Sequence, residues 1–334
     1  MYEKNTNTDT SVSQYDEVLS DKARDGKERP WVEKKKNNVS YYEILSILGL
    51  NKAERVSTCA EILRFEIVNE QTYEKKLKQA WFCKSPLCPI CNWRKAMKHS
   101  NQITRVVSEA MRQRKTARWL FLTLTVKNAW SGEELDDSLK AMTEGFRRMM
   151  LYKKVKKNLI GFVRSTEVTV NAQNGSYNQH MHILLCMKPT YFKGKENYIE
   201  QNEWTSLWKK AMKLDYTPVV HVQIVKDVRK KEVASNLPAG LASAVKETGK
   251  YAVKDADYLT GDMDTDVATV ADLEQGLYKK RMIGWGGRLK EIYAELKLED
   301  ENLINVSEDD KEAENGIILV ARWNWQKQNY YIDK

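Results

Sequence analysis

GFVRSTEVTVNAQNGSYNQHMHILL, residues 161–185, decides how this chain is read. Two β-rich runs flank Asn174-Gly175, a strong signal for a tight hairpin turn. In a strand, side chains at i and i+2 leave from one face, so His180 and His182 point together. Met181, Ile183 and Leu185 then point to the opposite face, toward a core. A two-residue turn at Asn174-Gly175 sets Glu167 opposite His182 on the same face, with His180 on the diagonal. Two imidazoles and a carboxylate make a ligand set with open positions. Mixed nitrogen and oxygen donors suit Mn²⁺ or Mg²⁺, and Zn²⁺ would also bind them. A bare His-x-His is more often a chance pair on a solvated strand. The carboxylate in hairpin register, in a chain with only four histidines, turns the reading to metal. His99 and His221 read as structural.

Outward from this hairpin, the chain alternates in type. Trp119–Val126 is β-rich, and Leu135–Tyr152 carries apolar residues at helical spacing. Leu159–Val170 and His180–Met187 are the hairpin strands. Asn202–Leu214 reads as a helix, Pro218–Val225 as a strand and Leu241–Lys254 as a helix. The order β-α-β-β-α-β, then α, predicts an α+β fold of the ferredoxin-like, split βαβ kind. It implies an antiparallel sheet with helices packed on one face. Asp255–Glu274 and Glu299–Glu314 read as acidic linkers. Lys279–Leu298 reads as a turn and helix around Gly284-Trp-Gly-Gly287, and Ile317–Ile332 as strand. Residues 1–38 are polar and read as disordered. Four segments follow: 1–38, a cysteine-rich module over 39–100, a core over 101–260, and a helix and strand extension over 261–334.

Cys83-x4-Cys88-x2-Cys91 places three thiols in one short loop stiffened by Pro86 and Pro89. Three reduced cysteines buried together without metal is the plainer alternative, but such closeness points to structural zinc, which takes four ligands. Cys59 is the preferred fourth, since Ser57–Glu70 can form half of a ribbon; His99 is the alternative. Cys186 reads as core. Lys84, Arg94, Lys95 and Lys98 beside the block fit contacts to DNA phosphates.

In AVKETGKYAVKDADYL, Glu247 and Tyr251 stand at i and i+4 on one predicted helical face, with Lys254 and Tyr258 on the same side. A phenol is a weak nucleophile unless its deprotonation is assisted, and Lys254 or a metal-bound phosphate could assist it. Taken alone, the segment is equally an amphipathic helix, and Gly249 within it is a poor helix former.

The composition bounds these readings. Lys and Arg number 55 against 46 Asp and Glu, giving net charge +9 and pI about 9.0, which fits a polyanion partner. No run approaches the roughly 18 apolar residues of a membrane span, and Met1–Gly26 lacks a signal-peptide core, so a cytoplasmic protein is expected.

Phe121–Val126, His180-Met-His182 and Tyr251-Ala-Val-Lys254 occur in the order of the HUH endonucleases, which this chain resembles. More closely, it resembles the Rep proteins of small Gram-positive rolling-circle plasmids. The likeness runs from about Cys59 to Leu298 and includes FCKSPLCPICNWRK, the Glu247–Tyr251 pair and Arg288-Leu-Lys-Glu291. It implies a nickase domain over 101–260, in which Tyr251 forms a 5′-phosphotyrosine link and leaves a 3′-OH primer. It implies that Glu247 activates the water that ends the round. His180, His182 and Glu167 would hold the divalent ion. Plasmid origin DNA and a host helicase are the implied partners. Some relatives carry a further histidine just before the pair; here that neighbourhood is Tyr177-Asn178-Gln179. The alternatives are a non-enzymatic zinc-containing DNA-binding regulator, and a metal-dependent hydrolase or deaminase. The deaminase is disfavoured because its His-x-Glu and Pro-Cys-x-x-Cys signature is absent.

Overall fold

The computed structural model describes residues 17–23, 26–69, 74–226, 237–250, 252–298, 302–304, 306 and 317–333. The chain opens with α1 (Trp31–Ile47), α2 (Ala53–Ser57), β1 (Ile62–Asn69) and β2 (Glu74–Ala80). α3 (Pro89–Gln113) and β3 (Arg118–Thr125) lead into α4 (Gly132–Leu151), α5 (Lys153–Asn158), β4 (Leu159–Val170) and β5 (Tyr177–Met187). Then come α6 (Gln201–Met212), β6 (Val220–Ile224), α7 (Ala239–Thr248), α8 (Met263–Gly276), β7 (Ile283–Gly287) and α9 (Arg288–Glu295). β8 (Ile318–Asn324) and β9 (Asn329–Ile332) close the described chain. The architecture is mixed α+β, built on two antiparallel sheets.

The larger sheet runs β6-β3-β5-β4-β7. Its strands β3, β4, β5 and β6 are those read from the sequence. β7 is a fifth, from the stretch read as a turn. It pairs with β4, Gly284 against Arg164 and Gly286 against Phe162. The glycines that suggest a turn are there for closeness: a Cβ at Gly286 would meet the Phe162 ring at 2.2 Å.

Leu120, Leu122, Leu124, Met181, Ile183 and Leu185 pack on α4 and α6 through Met142, Phe146, Met149, Trp204 and Trp208. The expectation of helices on one face needs correction. Val163, Leu184 and Cys186 make the second face apolar too, and α3, α7 and α9 cover it through Val107, Leu241, Val245 and Leu289. His180 and His182 share that second face with Leu184, further along β5.

The smaller sheet runs β2-β1-β8-β9, so the last strands of the chain complete the sheet of the cysteine module. Its core joins Trp31, Tyr41, Phe65 and Trp93 with Val270 and Leu273 of α8. Segment boundaries shift accordingly. Residues 31–38 lie in α1, not in a disordered tail; residues 1–16 lie outside the described chain. The boundary at 100 falls inside α3, and the segment from 261 packs on both sheets. Asp255–Glu274 is not a linker: Asp262 caps α8 by accepting from Thr265 N, and Val270 and Leu273 bury its inner side.

α7 is shorter than expected. It stops at Thr248, with Gly249 packed so closely on α3 that a Cβ would meet Ser100 Cα at 3.0 Å. Lys254 and Tyr258 therefore lie beyond this helix. Among the described residues, no helix is long and apolar enough to cross a membrane.

Candidate functional site

The hairpin brings Glu167, His180 and His182 together, with ligand atoms all within 4.8 Å of one another. Its register differs from the expected one by two residues. Glu167 faces His180 directly and Ser165 faces His182. The turn is a four-residue loop over 172–175, closed by Asn171 N donating to Ser176 O at 2.8 Å. Asn171 and Asn174 accept from Gln173 N and Ser176 N, and Gly175 takes φ +71°, so Asn-Gly ends the loop and does not form its whole turn. A shift of two residues keeps all three side chains on one face, which is why the triad survives it.

Glu167 Oε2 lies 3.4 Å from His180 Nε2 and 3.3 Å from His182 Nε2. Ligands at bond lengths near 2.1 Å stand about 3.0 Å apart at right angles and about 3.4 Å apart in a tetrahedron, so the set fits one small ion. Burial alone would raise the Glu167 carboxyl. The hydrogen bonds and charge of His180 and His182 outweigh it and hold the group well below the usual carboxylate range. Thr123 Oγ1 sits 3.3 Å from His182 Nδ1, and Phe121 stacks on the ring at 5.6 Å. A proton on Nδ1 shared with Thr123 leaves Nε2 as the ligand atom. Neither neighbour is legible in the sequence, because β3 registers against β5 only in three dimensions.

The end of α7 reaches the same place. Glu247 Oε1 stands 3.9 Å from His182 Nε2, and Lys250 Nζ pairs with Glu247 at 2.6 Å. Tyr251, the candidate nucleophile, lies outside the described residues. Its neighbours do not: Ala252 O accepts from Val168 N at 2.8 Å, and Lys254 Nζ is 3.9 Å from Glu167 Oε1. Tyr258 is fully buried and donates its hydroxyl to Leu87 O. Burial pushes that phenol far up from its usual range.

Cys59, Cys83, Cys88 and Cys91 form a second cluster, all buried. Sγ–Sγ distances are 3.7 Å for Cys59–Cys91, 3.6 Å for Cys83–Cys91 and 3.7 Å for Cys59–Cys88. Four sulfurs bound at about 2.3 Å in a tetrahedron stand about 3.8 Å apart, so the cluster fits zinc as it stands. Cys59 is thus the fourth member. His99 lies apart on α3, where burial, with Lys98 and Lys95 alongside, pushes it down to about 4. Lys84 N donates to Cys91 Sγ at 3.2 Å and Asn38 Nδ2 to Cys88 Sγ at 3.4 Å. Lys35, fully buried, donates to Ser57 O and Cys59 O, setting a cation beside the thiols. Reading residues 1–38 as disordered hid Lys35 and Asn38. Cys186 is core, its thiol pushed up to about 12 by burial. His221 is an exposed sheet residue beside Gln223.

The fold and site define a class of protein in which an antiparallel sheet carries a His-x-His and glutamate triad and a joined module carries four clustered cysteines, each group able to hold a metal ion. A family model described as Replication protein matches residues 74–331. The chain is 48% identical to a Protein rep of Lactiplantibacillus plantarum over 95% of this chain and 99% of that one. It is 50% identical to a Protein rep of Lentilactobacillus hilgardii over 94% and 98%. It is 51% identical to a Replication protein of Staphylococcus aureus over 71% and 99%. No solved structure matches it. The chain belongs to the replication protein family, and the resemblance read from its motifs is borne out.

Proposed function

We propose that this chain initiates plasmid rolling-circle replication as a metal-dependent nickase and strand transferase. The observation that carries the reading is the meeting of Glu167, His180 and His182 with Glu247 and Lys254, from either side of position 251. The strand order β6-β3-β5-β4, connected β3-α4-β4-β5-α6-β6 with the short α5 before β4, supports a ferredoxin-like HUH core.

A divalent ion, Mn²⁺ or Mg²⁺, would polarise the scissile phosphate. Tyr251 Oη attacks phosphorus; the Tyr–O–P bond forms as the P–O3′ bond breaks. The phenolic proton passes to solvent, helped by the Lys254 cation. The leaving oxygen takes a proton from water and remains as the 3′-OH primer. At the regenerated origin, Glu247 accepts a proton from a water that attacks the new nick-site phosphorus and breaks its P–O3′ bond; the freed 3′-OH then attacks the phosphotyrosine, so that a P–O3′ bond closes the circle as the Tyr–O–P bond breaks and Tyr251 is released. Lys250, paired to Glu247, holds that carboxylate in place. The cysteine module carries structural zinc, and a host helicase opens the duplex ahead of synthesis.

The test is incubation with supercoiled plasmid bearing the origin and Mn²⁺ or Mg²⁺. Nicked circles with protein covalently on the 5′ end, absent in Tyr251→Phe, support the reading. A shifted band without nicked product would leave a zinc-containing DNA-binding regulator.

A further inference from the structure

The chain on both sides of position 251 rests on elements built into the cysteine module. On the N-terminal side Gly249 lies against α3, where a Cβ would meet Ser100 Cα at 3.0 Å, and α3 starts directly after Cys88. On the C-terminal side residues 252–258 divide their contacts between two neighbours. Ala252 O accepts from Val168 N at 2.8 Å and Lys254 Nζ stands 3.9 Å from Glu167 Oε1, both beside the metal triad. Val253 and Tyr258, each fully buried, enter the core of the cysteine module with Tyr41, Leu87 and Cys88 instead.

Two polar anchors fix this segment to the module. Asp255 accepts from Lys34 Nζ at 2.9 Å and 3.1 Å and from Asn37 Nδ2 at 2.7 Å, both on α1. The Lys34 and Asp255 side chains are 11% and 16% exposed, so salt screens this pair little. Burial raises the Asp255 carboxyl, and the hydrogen bonds from Lys34 and Asn37 outweigh it and hold the group below its usual range. Tyr258 donates its hydroxyl to Leu87 O, in the loop between Cys83 and Cys88, and its ring stands edge-on to Tyr41 at 6.2 Å. The segment is thus pinned at 252, 254, 255 and 258, from the triad to the cysteine loop.

We propose that Asp255 and Tyr258 are positioning residues. They strap the chain after position 251 to α1 and to the cysteine loop, so that the cysteine module sets where the nucleophile stands against the triad. The identity of the nucleophile rests on the nickase reading above; the strap rests on the contacts alone. Both residues act through the backbone between them and position 251. A reacting group displaced by about 1 Å loses on the order of 100-fold in rate, so slack in this segment reaches the chemistry without touching a ligand.

The test mixes the full chain with an origin-bearing oligonucleotide and Mn²⁺ in single turnover. D255N and Y258F should each slow covalent adduct formation at saturating DNA by about 10- to 100-fold. Origin affinity and the Mn²⁺ concentration for half-maximal rate should stay at wild-type values. K34M should match D255N, and K34M/D255N should lose no more than either alone, because both break one contact. A second readout needs no activity. Hydrogen exchange at the Val168 amide, whose acceptor is Ala252 O, should quicken about 10-fold in D255N and Y258F. The Thr166 amide, bonded to Met282 O at 2.8 Å on the same strand, should exchange as in the wild type. D137N removes an exposed partner of Lys140 and should change none of these quantities.

Wild-type rates and wild-type Val168 exchange in D255N and Y258F would overturn the proposal. So would losses of origin or Mn²⁺ binding that match the loss of rate, since these assign both residues to general packing. Asp255 is only partly buried, so D255N keeps the test valid if Y258F fails to fold. A wild type that forms no adduct sinks the nickase reading, and Val168 exchange then decides the strap by itself. Normal adduct formation by the wild type and by both variants sinks the strap alone.

Discussion

His182 is held on three sides, by Glu167 at Nε2, by Thr123 at Nδ1 and by Phe121 across its ring face. Thr123→Val keeps the shape and removes the hydroxyl that fixes the ring. Loss of such a supporting hydrogen bond typically costs a metal site about 10- to 100-fold in affinity. Calorimetric Mn²⁺ titration of T123V should show a drop of that order with an unchanged melting temperature, and equal affinity would assign Thr123 to packing alone. Glu247 has a different part. It stands beside His182 but at 3.9 Å, outside the tight triad, and is anchored by Lys250. Glu247→Ala should therefore still cleave origin DNA, accumulate the covalent adduct and fail to release single-stranded circles. Normal circle release by E247A would remove Glu247 from termination.

Gly286 shows at the scale of the element why composition misleads. Its Cβ position is taken by the Phe162 ring, which also stands edge-on to Phe146 at 4.9 Å. Gly286→Ala forces that pair to move, and overpacking of this kind costs about 1–3 kcal/mol. A urea denaturation series should show this loss, and wild-type stability would mean that β7 slides away freely. Much of the larger sheet could be read from sequence, because β3, β4 and β5 are runs of 8, 12 and 11 residues rich in apolar and β-branched side chains and bounded by turn signals. β7 could not, since its glycines serve close approach and carry no periodicity. The register could not be fixed from Asn174-Gly175 alone, because that dipeptide also ends longer loops. Glu167, His180 and His182 were legible despite this, since strand parity fixes the face whatever the turn length. α7 was overextended because the apolar spacing of Leu241, Ala244 and Val245 gives no sign of where packing on Ser100 ends the helix.

At the scale of the molecule, the cysteine module and the larger sheet are joined by α3, which begins at Pro89, directly after Cys88, and runs on to pack beneath Trp119, Leu184 and Cys186. β8 and β9 return from the far end of the sequence to complete the sheet that holds Cys59. One zinc per chain is expected at Cys59, Cys83, Cys88 and Cys91. Because structural zinc contributes folding free energy directly, chelation should lower the melting temperature while leaving the Mn²⁺ triad a separate, weaker site. Elemental analysis finding no zinc in protein purified without chelator would contradict this. The account as a whole turns on Tyr251, which the neighbouring positions of Glu247, Ala252 and Lys254 bracket. The most direct measurement is peptide mapping by mass spectrometry of the adduct formed with origin DNA and Mn²⁺. The account predicts a 5′-phosphonucleotide on the peptide containing Tyr251 and none in Y251F. An adduct on another residue, or nicked plasmid carrying no protein, would contradict it.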